Sequence, residues 1–139
     1  VSWIAISESA VRSTLAAAEL SALRTVQLAD GQMDPLAEII ERTVDEVRGY
    51  VAANPLNRVG AAGTIPGELE AAALALVRYR LVTRLPLKTL LTEARKDEQR
   101  DAITLLRDVA GGRFAILPPD DGGEPAAGIG YYGSEEDPI

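Results

Sequence analysis

The chain has 139 residues, enough for one domain with a modest core, and it contains neither cysteine nor histidine. Those absences remove disulfides, thiol chemistry, the commonest metal ligands and the commonest general base near neutral pH; a carboxylate-only site for a hard metal stays open, but few enzyme classes survive, and enzyme is the weak hypothesis. The net charge of -7 gathers at one end: residues 1–114 carry 15 acidic and 14 basic side chains, residues 115–139 six acidic and no basic ones. A body so close to neutral lacks the basic patch that non-specific DNA binding needs. The opening VSWIAISE has no positive segment and no long apolar run, so no signal peptide is expected.

Trp3 to Ile6 is a short apolar lead-in, and Ser7 is a candidate N-cap for a helix over about Glu8 to Ala18, with Ala10, Val11, Thr14 and Leu15 on one face. After a kink, Glu19 to Leu28 continues as a second short helix carrying Leu20, Leu23, Val26 and Gln27. Asp30 to Asp34 is a turn, and Asp34-Pro35 pairs a cap residue with proline at the first helical position. The helix it opens, to about Ala53, has Leu36, Ile39, Ile40, Val44, Val47 and Val51 at helical spacing, and Asn54-Pro55 ends it. Residues 54–67 form a long irregular loop, of a kind that tends to be functional or mobile.

Ile65 to Leu85 reads as a helix with Pro66 at its start, apolar on almost every face between Ala71 and Tyr79. Such a helix belongs in the middle of a bundle, and it is too short and too close to Arg78, Arg80 and Arg84 to span a bilayer. Pro86 marks a break, and a last helix runs from about Thr89 to Ala110, stopped by Gly111-Gly112. Its apolar set is Leu90, Leu91, Ala94, Ala102, Leu105, Leu106 and Val109, and its charged middle, Glu93 to Asp101, is expected to stand away from the core. Phe114 to Leu117 is a short strand or an extended piece packed on the domain, and from Pro118 the chain is glycine, proline and acid. The expected architecture is all-α: a small bundle of four to five helices around a central apolar helix over residues 1–117, with an extended acidic arm over 118–139.

Few residues invite chemistry. The loop Gly60 to Gly67 has glycines before a helix but lacks the Gly-Lys-Ser/Thr of a phosphate loop, so a flexible connector is the preferred reading. Asp30 and Asp34 lack the ligand spacing of a calcium loop; a turn and an N-cap account for them. Arg80, Arg84 and Lys88 lie at steps of four. They would grip an acidic partner or a phosphate, or, as preferred here, neutralise the helix end and pair with neighbouring acids. The alternating charges of Glu93 to Asp101 suit a solvated face or a surface that sets register between copies. Phe114, Ile116, Ile129, Tyr131 and Tyr132 exceed what a solvating tail needs and are candidate partner contacts.

Three runs in order carry a resemblance: ADGQMDPLAEIIERTVDEVRGYVAANP, then after a loop IPGELEAAALALVRYRL, then a helix ending LLRDVAGGRFAILP. Their order resembles the phage head–tail connector (adaptor) proteins, and among them the Mu-like neck family. In that family an Asp opens a helix ending in Gly-Tyr-aliphatic, matched by Asp34 and Gly49-Tyr50-Val51. A proline opens a second helix ending in Arg-Tyr-Arg-Leu, matched by Pro66 and Arg78-Tyr79-Arg80-Leu81, and an aliphatic–small–Gly step closes the last, matched by Val109-Ala110-Gly111. The likeness covers about residues 7 to 118; the loop NPLNRVGAAGT departs from the family's Tyr-Pro-Leu-Pro type of run, and the arm after Pro118 is unmatched.

The resemblance implies an all-α structural virion protein with no catalytic site and no cofactor. It would form a ring, usually of twelve copies, beneath the portal at the neck of the virion, after synthesis in the host cytoplasm. Its partners would be its own copies, the portal protein and a downstream neck or tail protein, with DNA passing through without specific binding and no membrane contact. The alternative in another class is a small helical regulatory or protein-binding module acting as monomer or dimer.

Overall fold

The computed structural model describes residues 3–25, 35–84 and 91–119. In chain order its elements are β1 (Trp3–Ile4), α1 (Glu8–Arg12), α2 (Ala17–Thr25), α3 (Pro35–Ala53), β2 (Ile65–Pro66), a 3₁₀ turn at Gly67–Leu69, α4 (Glu70–Arg84) and α5 (Glu93–Ala110). The expected helical bundle is present, with one very small sheet added to it.

Helix α4 is the hub. Its run Ala72 to Val77 is buried without interruption, as are Leu81 and Val82, because the helix packs on α3, α5 and α1 together. Alanines at 72, 73 and 75 keep it slim, while Leu76, Val77 and Leu81 fill the space between the helices. Fully burying an aliphatic side chain of this size contributes roughly 1.5–3 kcal/mol. Helix α3 spans the residues its periodicity predicts and buries the whole expected stripe from Leu36 to Val51, with Thr43 added. Helix α5 closes the core with Ala102, Leu106 and Val109.

Several boundaries differ from expectation, each for a local reason. Ser7 does cap α1, its hydroxyl accepting from the Ala10 N–H at 3.0 Å. That helix ends at Arg12, where the hydroxyls of Ser13 and Thr14 donate back to the carbonyls of Ala10 and Val11. Of its expected face only Val11 is fully buried. Helix α2 then starts early because Glu19 reaches back to accept from the Ala16 N–H at 2.9 Å, half of a capping box. Helix α4 begins at Glu70, not Ile65. Ile65-Pro66 is instead an antiparallel strand, with Trp3 opposite Pro66 and Ile4 opposite Ile65, and Pro66 is extended at ψ 137.

Helix α5 starts at Glu93, capped by the Thr92 hydroxyl, and Ala94 is exposed rather than part of the core stripe. It stops as expected: Gly112 takes φ +81, which a side chain would resist, and the Arg113 N–H returns to the Asp108 carbonyl at 2.8 Å. Phe114 to Leu117 is the extended alternative, with Phe114 and Ile116 half-buried against the core. Asp30, Asp34, Pro86, Lys88 and everything beyond Pro119 lie outside the described residues, and with them Ile129, Tyr131 and Tyr132.

Candidate functional site

Three constellations on the body carry its polar chemistry. The first lies between α3 and α4. Arg80 donates to the Thr43 hydroxyl at 3.0 Å and to the Glu46 carboxylate, and Arg84 pairs with Glu38 at 3.2 Å. Arg42 pairs with the same Glu38, at 3.0 Å, so one carboxylate serves two guanidinium groups. Ile39, Arg42, Glu46, Arg80, Thr83 and Arg84 line an open groove of about 410 Å³. The preferred reading of Arg80 and Arg84, pairing with acids of a neighbouring helix, is what the structure shows. Their third expected member, Lys88, is not among the described residues.

The second constellation was not anticipated. Arg95 makes a fork onto Glu19, with Nε to Oε2 at 2.8 Å and Nη2 to Oε1 at 2.6 Å, and its third nitrogen reaches Glu98 at 2.9 Å. Glu98 also accepts from Arg78 at 3.0 Å, so the chain of charges links α2, α5 and α4. The Glu19 side chain is only 5% exposed. The Arg95 guanidinium, hydrogen-bonded to it, holds its carboxyl below the usual range; burial opposes this, and the Ala16 N–H and Arg78 assist. Arg95 is pushed up in turn by the same bond. The charged stretch of α5 therefore does not stand clear of the body. Arg95 and Glu98 continue the stripe of Ala102, Leu106 and Val109 at steps of three and four, a signal visible in the sequence once charged residues are admitted to a buried face.

The third constellation gathers both ends of the described chain around the loop before β2. Arg48 of α3 donates to the carbonyls of Thr64 at 2.7 Å, Ala61 at 2.9 Å and Gly60 at 3.2 Å. The loop is thus fastened to α3 rather than slack. It turns carbonyl oxygens toward a cation of the protein itself, the polarity opposite to an anion cradle, which needs N–H groups. Trp3 lies over the same guanidinium, 6.0 Å from its ring centre. Gly60 is pressed against the indole: a Cβ there would stand 2.9 Å from Trp3 and 3.1 Å from the Pro119 ring. The extended C-terminal piece completes the junction. The Trp3 indole N–H donates to the Leu117 carbonyl at 3.3 Å, the Leu117 N–H donates to Glu68 at 2.7 Å, and Arg58 reaches the Pro119 carbonyl at 3.4 Å. Arg48 and Arg58 gave no sequence signal, because their acceptors are backbone carbonyls.

A family model described as Bacteriophage Mu, Gp36 matches residues 6–131. The chain belongs to that family. It is a bacteriophage protein of the structural or morphogenetic kind, and the match reaches past Pro118, where the sequence reading found no likeness, as far as Tyr131. No curated protein and no solved structure matches the chain. Among the described residues no group of three or more carboxylates is placed to hold a metal ion, and no helix is long and apolar enough to cross a membrane. The Mu Gp36 family member described here thus presents ion-paired surfaces between helices and a tied junction at its chain ends.

Proposed function

We propose that this Mu Gp36 family protein is a head–tail adaptor: a virion neck component whose copies form a ring between portal and tail and extend the DNA channel. The observation that carries the reading is the family match across residues 6–131, nearly the whole chain. The surface supports it. A ring needs two different complementary faces on each copy, meeting head to tail. The α3–α4 groove presents Arg42, Arg80 and Arg84, with Arg42 77% exposed, while α5 exposes Glu93, Asp97 and Asp101 among Lys96 and Arg100. Charges of this kind set register and exclude wrong partners more than they add affinity. A body nearly balanced in charge also suits a conduit that DNA must pass without being gripped. The arm over 118–139 is the proposed contact with an adjacent subunit or the portal.

Light scattering on the full chain, alone and mixed with the portal protein of the same phage, tests this. A ring-sized species, free or formed on the portal, is the expected result. A monomer under both conditions would sink the adaptor reading in favour of a small binding module.

A further inference from the structure

Helices α3, α4 and α5 each pack on the other two, so the groove between α3 and α4 lies across the body from the exposed face of α5. Each side carries charge that its own fold leaves over. In the groove, Arg42 and Arg84 both reach Glu38, at 3.0 and 3.2 Å, so two guanidinium groups share one negative charge. On α3 beside them, the exposed carboxylates of Glu41 and Asp45 have no partner among the described residues. Helix α5 has the complement. Its Glu93, Asp97, Glu98 and Asp108 are ion-paired, and Asp101, exposed, is the one acid of the helix without a partner among the described residues. Arg107, exposed in the last turn, is an unpaired cation in the same sense.

We propose that the α3–α4 groove of one copy receives α5 of the next, with Asp101 seated between Arg42 and Arg84 and Arg107 set against Asp45. The inference rests on the adaptor reading, in which copies meet head to tail, and names the residues that make the joint. The spacing agrees at both points. Asp101 and Arg107 are six residues apart, about 9 Å along α5. Glu38, where the two arginines meet, is seven residues from Asp45, about 10 Å along α3. The incoming α5 therefore lies parallel to α3. Reversed, with Asp101 in the same seat, it would carry Arg107 past the start of α3 at Pro35, away from Asp45. A two-fold pairing of groove on groove would bring surpluses of like sign together, whereas groove against α5 joins opposite ones. Because the two faces lie on opposite sides of the body, one copy can hold two neighbours at once, as a closed ring requires.

Light scattering on the full chain, alone and with the portal protein of the same phage, is repeated for Asp101→Arg, for Arg84→Glu and for the two combined. Each single reversal should raise the concentration at which the ring forms by about tenfold or more. The combined variant, which restores opposite charges, should recover most of that loss. Asp101 and Arg84 are exposed, so the body should survive both changes, which a far-UV spectrum checks. The contact itself is read by a disulfide, since the natural chain has no cysteine. Under conditions where the natural chain assembles, Asp101→Cys chains mixed with Arg42→Cys chains should oxidise to a two-chain product far faster than either variant alone. Rings indifferent to the single reversals, losses that the combined variant does not recover, or no excess of the mixed disulfide would each overturn this joint while leaving the adaptor reading in place. A natural chain that stays monomeric even with the portal would remove both.

Discussion

The ion pairs that join α2, α4 and α5 centre on the shielded Glu19–Arg95 pair, whereas those between α4 and α3 lie nearer the surface. Arg78, Arg95 and Glu19 keep 13%, 16% and 5% of their side-chain surface exposed, against 32% for Arg80 and 44% for Arg84. The residue types and distances are nearly the same; the surroundings differ. On the shielded side a lost partner leaves a charge that water cannot reach, so the pairs act on stability and fix how α2 sits on the body. On the open side either guanidinium can exchange its carboxylate for one from another protein at little expense. The shielded cluster ties α2 to the body, and the pairs between α3 and α4 stay open to solvent.

The sharpest way to break this contrast is on the shielded side. Glu19→Ala leaves Arg95 with Glu98 alone, and a destabilisation of about 3 kcal/mol is expected from urea denaturation, at the lower end of the values for breaking a buried pair. The effect must also depend on pH in a defined sense. The native pKa of Glu19 lies below its ordinary value of 4.5. Its contribution is therefore complete above pH 4.5 and fades as acid carries the pH down through the depressed native value. The stability gap between wild type and Glu19→Gln should narrow over that acid range; a gap unchanged throughout would contradict the assignment.

On the open side the effects shrink. Arg80→Ala, which gives up the Thr43 and Glu46 bonds, should reduce stability by about 1 kcal/mol. Arg84→Ala should stay within about 0.5 kcal/mol. If the groove meets a neighbouring protein, the pair Arg80→Glu and Arg84→Glu should abolish ring or portal assembly in light scattering while the body stays folded. Assembly undiminished by both reversals would confine these arginines to the structural role.

Much of this was legible in the sequence, and the gaps have physical causes. The stripe from Leu36 to Val51 and the all-round apolar run in α4 announce themselves because burial alone sets their pattern. The glycine stop of α5 is equally local. Pro66 misled because its role is set by Trp3 and Ile4, far away in the chain, and proline suits a strand edge as well as a helix start. Arg95 and Glu98 misled because a charged residue is read as solvated until its partner is known, and the partner Glu19 sits on a different helix. Of the expected contact residues, Phe114 and Ile116 are half-buried against their own core, and Arg80 and Arg84 pair with acids of α3.

The junction of Trp3 with Leu117 has a mechanical consequence. Two points 114 residues apart in the chain are joined there by a side-chain hydrogen bond, beside the two-residue ladder of β1 and β2 and the Leu117 bond to Glu68. Tension between something gripping the chain before Trp3 and something gripping it after Pro119 would pass across this clamp and largely bypass the helices. Pulled in a single-molecule trap from those two ends, the protein should yield first at the clamp, in a small step that leaves the helical bundle closed. Loss of the whole bundle in one step would show that the load runs through it. Such a clamp would act as a fuse, because strain on the chain's ends would be spent before it reached the core.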